Sequence, residues 1–397
     1  MWKTVKLGDV CDFQNGFAFK SALFKERGKP ILRISNIQNE KIDVRKTVYF
    51  DAKDYDTDFT RYEVKPDDLL IAMSGATTGK IGFNKTDTTY YLNQRVGKFK
   101  PKPTLDKVFL YYLLSTKVQE NLSISKGAAQ PNLSSEQIKN ISFPLPPLAE
   151  QQRIVAKLDA AFAEIDVAIV VTNKNTENAK AAFEKYLIDM FENKRKNWKT
   201  ESLKDVSSNI TDGKHGDCKN QPMSGYYFLS AKDVRGGTLN YNGAREIVKY
   251  DFDETHRRTN LEPGDVLITN SGTIGRMAIA PESELTAKTT FQKSVAIIKP
   301  RKDKIESIFL YFSLSSKLSY FQKISQGAAQ KNLLLRDLRA FDITYPVSID
   351  EQLVITEKMK SISTVCNDLE IIFNKKIKEL HALKSAILAQ ELQSEAA

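Results

Sequence analysis

The chain has 397 residues, 41% of them hydrophobic and 27% charged, with a net charge of +10. That is enough apolar chain for two or three packed domains of a soluble globular protein; no stretch approaches the roughly 20 apolar residues of a membrane span, and residues 1–6 lack the apolar core of a signal peptide, so a cytoplasmic location is expected. Cys11, Cys218 and Cys366 are too dispersed for a disulfide framework or a zinc cluster and are expected to be buried free thiols.

The positive charge is localised. Residues 1–147 carry +7 and residues 197–346 carry +5, whereas 148–196 is neutral and 347–397 carries −2. Two separated basic blocks suit a polyanionic partner at each.

In chain order, residues 1–147 hold short β-type runs at 30–37, 68–73 and 96–99, broken by Gly, Asn and Asp turns, which predict a mixed α+β domain. Polar and basic residues fall on loops between them: Phe17 and Lys20 after Asn15-Gly16, Arg33 and Asn36, then Ser74, Thr77, Thr78 and Lys80, then Asn93, Gln94 and Arg95. Gly75-Ala76-Thr77-Thr78-Gly79-Lys80-Ile81 superficially matches a phosphate-binding P-loop. It is one residue short between glycines and has Ile81 where a magnesium-holding Ser or Thr belongs, so its glycines are expected to shape a tight loop. For the basic residue that follows, phosphate contact and a solvated turn both stand open.

Gly127-Ala128-Ala129-Gln130-Pro131-Asn132-Leu133 leads to a junction with Pro144, Pro146 and Pro147, then Glu150-Gln151. Residues 148–191 contain no Gly or Pro and place Ile154, Leu158, Ala161, Ile165 and Ala168 on one face, the pattern of a long amphipathic helix. Unbroken, it would extend roughly 66 Å, although Asn173-Lys174-Asn175-Thr176 is a point where it could be interrupted.

The series then returns. Trp2-Lys3-Thr4 recurs as Trp198-Lys199-Thr200, Phe109-Leu110-Tyr111-Tyr112 as Phe309-Leu310-Tyr311-Phe312, and the Gly-Ala-Ala-Gln motif as Gly327-Ala328-Ala329-Gln330-Lys331-Asn332-Leu333, followed by Glu351-Gln352. The chain reads as a tandem duplication, with period about half its length. The predicted fold is α+β: two mixed domains, 1–147 and 197–346, alternating with helical segments 148–196 and 347–397. The second helix carries Ile362, Val365, Leu369, Ile372, Leu380, Leu383 and Ile387 at coiled-coil spacing, and the two stripes can bury each other.

The second domain's counterpart loops hold Lys214 and His215, Lys232, then Asn270, Thr273 and Arg276, then Gln292 and Lys293. Lys and Arg suit phosphates, which fix register; Asn, Gln, Ser, Thr and Arg suit base edges, which carry sequence. Where Val96 and Val295 align, Asn93-Gln94-Arg95 faces Gln292-Lys293-Ser294, so the two halves are expected to read different sequences. Gln130, Asn132, Gln330 and Asn332 repeat between halves and are therefore expected to be structural or partner-facing. Glu150, Gln151, Glu351 and Gln352 fall in first helical turns, where acidic residues suit the dipole; docking of a partner is the other reading.

Motifs for catalysis are missing. No Asn-Pro-Pro or Asp-Pro-Pro occurs to hold a target amine, Pro66-Asp67 lacks the acidic-x-Lys of a nuclease, and His215, His256 and His381 are dispersed without metal-ligand spacing. A binding protein is expected.

Two units, each a variable globular part followed by Gly-Ala-Ala-Gln-x-Asn-Leu, a proline-containing junction, Glu-Gln and a long helix, resemble the specificity subunit of type I restriction-modification enzymes over the whole length. The second junction departs from the pattern, with Tyr345-Pro346-Val347. The resemblance implies two target-recognition domains, each reading one half of a bipartite double-stranded DNA target, and helices packed as an antiparallel coiled coil that sets the spacing and docks two methyltransferase subunits. It implies that S-adenosylmethionine belongs to those subunits, and ATP and magnesium to restriction subunits, while this chain is non-catalytic and binds neither cofactor nor metal. The alternatives are a scaffold whose duplicated domains join proteins, with basic charge serving solubility, and a self-sufficient methyltransferase or nuclease, against which the missing motifs argue.

Overall fold

The computed structural model describes residues 2–124, 132–192, 197–325 and 332–393, and its fold is mixed α/β. By compactness it forms two units, Met1–Val171 with Lys376–Ala397, and Thr172–Lys375. Each groups a globular part with a stretch of both long helices.

In the first unit, strand Lys3–Lys6 pairs antiparallel with Ser142–Leu145, with Lys3 opposite Leu145 and Lys6 opposite Ser142. A five-stranded sheet follows the spatial order Cys11–Asn15, Val96–Pro101, Leu69–Ala72, Ile81–Phe83, Glu40–Lys41. Leu69–Ala72 is buried throughout, because both faces of the sheet are covered. Leu69 and Ile71 join Phe99, Phe109, Leu110, Ile154 and Leu158, so helix Lys107–Ile124 and the long helix share that core. Leu70 and Ala72 meet Leu32, Val64, Leu92 and Val96 on the other face, beneath a second sheet of Val48–Phe50, Lys29–Leu32, Tyr90–Leu92 and Glu63–Val64. The alternation of a strand's side chains thus feeds two cores from one apolar run.

The second unit is built from the same kinds of parts. Trp198–Ser202 pairs with Asp342–Pro346, and a four-stranded sheet runs Ser207–Asp212, Val295–Pro300, Val266–Thr269, Met277–Ile279. Val266 and Ile268 face a core with Phe309, Leu310 and Phe321, and Leu267 faces Leu229, Phe291 and Val295. The units differ after Val48–Phe50 and Arg245–Glu246: the first has short 3-10 turns at Ala52–Asp54 and Thr60–Tyr62, the second an α-helix, Lys249–Thr259.

Leu148–Glu192 and Ile349–Gln393 are each one uninterrupted 45-residue helix. The polar run 173–176 does not break the first of them. Asn, Lys and Thr each weaken a helix only by a fraction of a kcal/mol, and Thr176 folds its hydroxyl back onto Thr172 O at 3.1 Å. Ile154, Leu158 and Ile165 are buried as expected. The second stripe is only half right: Val365, Ile372 and Leu383 are 55%, 57% and 48% exposed. That helix is anchored near its start, where Ile355 and Met359 enter the second unit's core, and near its end, where the stripe residues Leu380 and Ile387 pack with Leu392 into the first unit's core. No helix among the described residues is long and apolar enough to cross a membrane. Cys11 and Cys218 are buried free thiols and Cys366 is half-buried; burial pushes the Cys11 thiol up to about 12, which makes it unreactive.

Candidate nucleic-acid interface

In the first unit the candidate loops are drawn together by main-chain hydrogen bonds. Gly16 N donates to Val96 O and Phe17 N to Leu92 O; Asn93 N donates to Leu32 O, Met73 N to Arg95 O, and Leu133 N to Met73 O at 2.8 Å. The approach is close enough that a Cβ on Gly16 would lie 2.0 Å from Asn93 O, so only glycine fits. Ser74 and Asn132 form an isolated bridge.

The second unit repeats this wiring bond for bond. Gly213 N donates to Val295 O, Lys214 N to Phe291 O, Gln292 N to Leu229 O, Asn270 N to Ser294 O and Leu333 N to Asn270 O, and Ser271 bridges Asn332. A Cβ on Gly213 would lie 2.0 Å from Phe291 O. Structurally, therefore, Phe17 matches Lys214, Met73 matches Asn270, Asn93 matches Gln292 and Arg95 matches Ser294. Asn132 and Asn332 bridge to Ser74 and Ser271 respectively, while Gln130 and Gln330 lie outside the described residues.

Within this frame the predicted residues separate. In the first unit Lys20, Gln94 and Arg95 are exposed and Asn93 is half-buried. Phe17 packs edge-on against Phe19, Tyr55 and Phe59 in an aromatic cluster. Asn36 is a correction: it is 2% exposed, its Oδ1 accepts from Arg33 N at 2.9 Å and its Nδ2 donates to Asp43 O at 2.8 Å, so its amide locks a loop. Arg33 donates to Lys46 O, Thr77 to Ile34 O, Thr78 to Gly75 O and Lys80 to Gln38 Oε1 at 2.6 Å. Ser74 is buried and accepts from Arg95 Nη1 at 3.4 Å. Gly75 and Gly79 have φ of 78° and 83°, as Gly272 and Gly275 have 75° and 87°, which is the left-handed turn the glycines were expected to supply.

In the second unit His215, Lys232, Thr273 and Lys293 are exposed and Gln292 is half-buried. Lys214 pairs with Glu254 at 2.8 Å and Asp251 at 3.7 Å, and the hydrogen bond it donates to Glu254 raises its pKa. Arg276 donates to Ala231 O at 3.4 Å. His215 Nε2 lies 3.1 Å from Asp212 Oδ2, and Arg258 lies 3.6 Å from Asp212 Oδ1. His215, Asn270, Lys293 and Asn332 line a recess of 310 Å³, with Asp212 and Ser271. The sequence reading missed the Lys249–Thr259 helix, whose last turn presents exposed Arg257 and Arg258 beside the 212–214 loop. The signal was there: Phe252, Thr255 and Thr259 are buried at helical spacing.

Gln151 and Gln352 belong elsewhere, and the docking reading is corrected for both. Each is 0% exposed. Gln151 accepts from Asp106 N at 2.8 Å and donates to Thr104 O and Pro146 O at 2.9 and 2.8 Å; Gln352 accepts from Glu306 N at 2.8 Å and donates to Lys304 O and Pro346 O at 2.9 and 2.8 Å. They are struts between helix and globular part. Glu150 pairs with Arg153, whose hydrogen bonds lower its pKa, and Glu351 accepts from Trp198 Nε1 at 3.2 Å. Among the described residues no group of three or more His, Cys, Asp or Glu is placed to hold a metal ion.

The family model for the type I restriction modification DNA specificity domain matches residues 1–172 and again 195–380. The chain belongs to that family. It is similar to the type I restriction enzyme EcoBI specificity subunit of Escherichia coli, 27% identical over 99% of this chain and 86% of the relative. With the MjaVIII specificity subunit of Methanocaldococcus jannaschii it shares 34% identity over 47% of this chain and 44% of the relative. Its fold matches that of a chain solved in a study of complex assembly and conformational transition of the type I R-M system, with a TM-score of 0.76 at 19% identity over 98% of this chain and 97% of that one. The HsdS subunit from Thermoanaerobacter tengcongensis matches with a TM-score of 0.57, also at 19% identity, over 99% and 96%. As a specificity subunit, the chain is a DNA-recognition component of a restriction-modification system and not its catalyst.

Proposed function

We propose that residues 1–147 and 197–346 are two target-recognition domains, each reading one half of a bipartite duplex target. One observation carries the reading: identical main-chain wiring presents different side chains at the matched outward positions, Asn93-Gln94-Arg95 in one unit and Gln292-Lys293-Ser294 in the other. A shared frame with divergent tips is what a duplicated reader of two unlike half-sites needs. The basic charge of both blocks supplies the sequence-independent attraction.

The helical segments, 148–196 and 347–397, form the spacer as an antiparallel coiled coil. Supporting this in the first unit, Lys157 pairs with Glu391 and Asp166 with Lys384, so numbering rises on one helix as it falls on the other. In the second unit Lys180 pairs with Glu370. The spacer sets the half-site separation and docks two methyltransferase subunits, which bring S-adenosylmethionine; restriction subunits bring ATP and magnesium chemistry, and the assembly works in the cytoplasm with no cofactor on this chain.

The test is to mix the purified chain with its methyltransferase subunit and score methylation across a random duplex pool at two salt concentrations. A split motif methylated only by the mixture is expected. Partner binding without sequence preference would return the chain to the scaffold reading.

A further inference from the structure

We infer that Asn270 is a base-reading residue of the second unit, holding an adenine edge in the recess beside Lys293 and His215. The inference rests on the proposal that these loops face DNA.

Asn270 closes the fully buried strand Val266–Thr269, and its main chain is held on both sides, by Ser294 O at 3.0 Å and by Leu333 N at 2.8 Å. Its backbone is thereby fixed in place. Asn270 is 7% exposed, yet its side-chain carbonyl oxygen has no hydrogen-bond partner among the described residues. Buried amides in native proteins are nearly always paired, and each exception calls for a cause.

The matched position in the first unit shows that the fold does not require an amide here. Met73 occupies it, 8% exposed, with the same main-chain bonds to Arg95 and Leu133. An apolar side chain of similar reach satisfies the packing without leaving a polar atom stranded. A second difference opens the site. Arg95 reaches across to Ser74 Oγ at 3.4 Å in the first unit, whereas its match, Ser294, is short and already accepts from Ala231 N at 3.2 Å. The 310 Å³ recess lies beside the orphaned amide.

The chemistry of the lining narrows the ligand. An asparagine amide offers one acceptor and one donor edge side by side, and a half-turn of the group exchanges them, so it complements the N6 donor and N7 acceptor of adenine in the major groove. Exposed Lys293 at the rim suits the neighbouring phosphate. Asp212, the one carboxylate among the described residues of the lining, is engaged by His215 and Arg258.

The test compares the full chain with Asn270→Met and Asn270→Asp variants, each assembled with the methyltransferase subunit and scored for methylated motifs in a random duplex pool. Asn270→Met, which copies the first unit's residue, is expected to reduce discrimination at one adenine of one half-site by about tenfold and to leave the other half-site unchanged. Asn270→Asp, nearly isosteric, is expected to move that position toward cytosine, whose N4 amine a carboxylate accepts, and it carries the test if the Met variant does not fold. Folded variants that keep the wild-type motif and preference would overturn the inference. Lys293→Glu separates the two levels: uniformly weaker binding on all sequences with an unaltered Asn270 variant motif sinks Asn270 alone, whereas unchanged affinity and salt dependence would remove the interface beneath it.

Discussion

Gln151 and Gln352 illustrate how a single side chain can join two elements. Each is itself fully buried and satisfies one main-chain N–H and two carbonyls. Gln151→Ala is expected to cost about 2–4 kcal/mol, since three main-chain groups lose a fully buried partner at once; chemical unfolding of the intact chain measures it, and a loss below the size of one ordinary hydrogen bond would show that water replaces the strut. Gly213 acts by being absent. With a Cβ placed 2.0 Å from Phe291 O, Gly213→Ala must push its loop away from the 291–295 segment. Stability should fall by about 1–3 kcal/mol, and DNA binding should weaken with it because Lys214, His215 and Lys293 shift together. Gly216→Ala is the comparison, since nothing lies within 4 Å of that position although its φ is 112°.

At the scale of elements, the pairing of Trp198–Ser202 with Asp342–Pro346 closes the second globular part, and a charge cluster seals it. Glu201 accepts from the Tyr345 hydroxyl and pairs with Lys199 at 2.9 Å and Lys304 at 3.3 Å; the tyrosine bond and these cations hold its carboxyl down to about 2, from an ordinary 4.5. The pKa is depressed in the folded state, so its stabilising effect is fully present above pH 4.5 and is lost as pH falls through about 2. Glu201→Gln should flatten the acid limb of the stability profile across that window while changing neutral-pH stability in the same direction as lost pairing. An acid limb identical to wild type would mean that the cluster is not coupled to folding.

For the molecule as a whole, two units with shared wiring and divergent tips should behave as separable readers. Replacing Gln94 and Arg95 together by alanine is expected to change one part of the methylated motif and leave the other intact, read by sequencing methylated products from a random pool. Affinity of the assembled wild type should fall steeply with added salt, as it does whenever lysines and arginines displace counterions from DNA. A motif altered in both parts would show that the units do not read independently.

The recurrence of Trp-Lys-Thr, Gly-Ala-Ala-Gln and Glu-Gln, and the Gly-free and Pro-free runs after residues 147 and 347, were determined by sequence alone, because repetition and helical periodicity are local properties of a chain. So were the tight glycine turns at 75, 79, 272 and 275, whose left-handed backbone follows from residue type. What the sequence could not decide is which polar side chains are spent inside. Asn36, at the end of a 3-10 turn, and Asn270, just past a strand, are both buried asparagines, yet one is paired with Arg33 and Asp43 and the other keeps an oxygen without a partner among the described residues. Gln151 and Gln352, and the outward turn of Val365 and Ile372, likewise depend on partners far away in the chain. Satisfaction of a polar group and burial of an apolar one are properties of the space around a side chain, and only the tertiary structure fills that space.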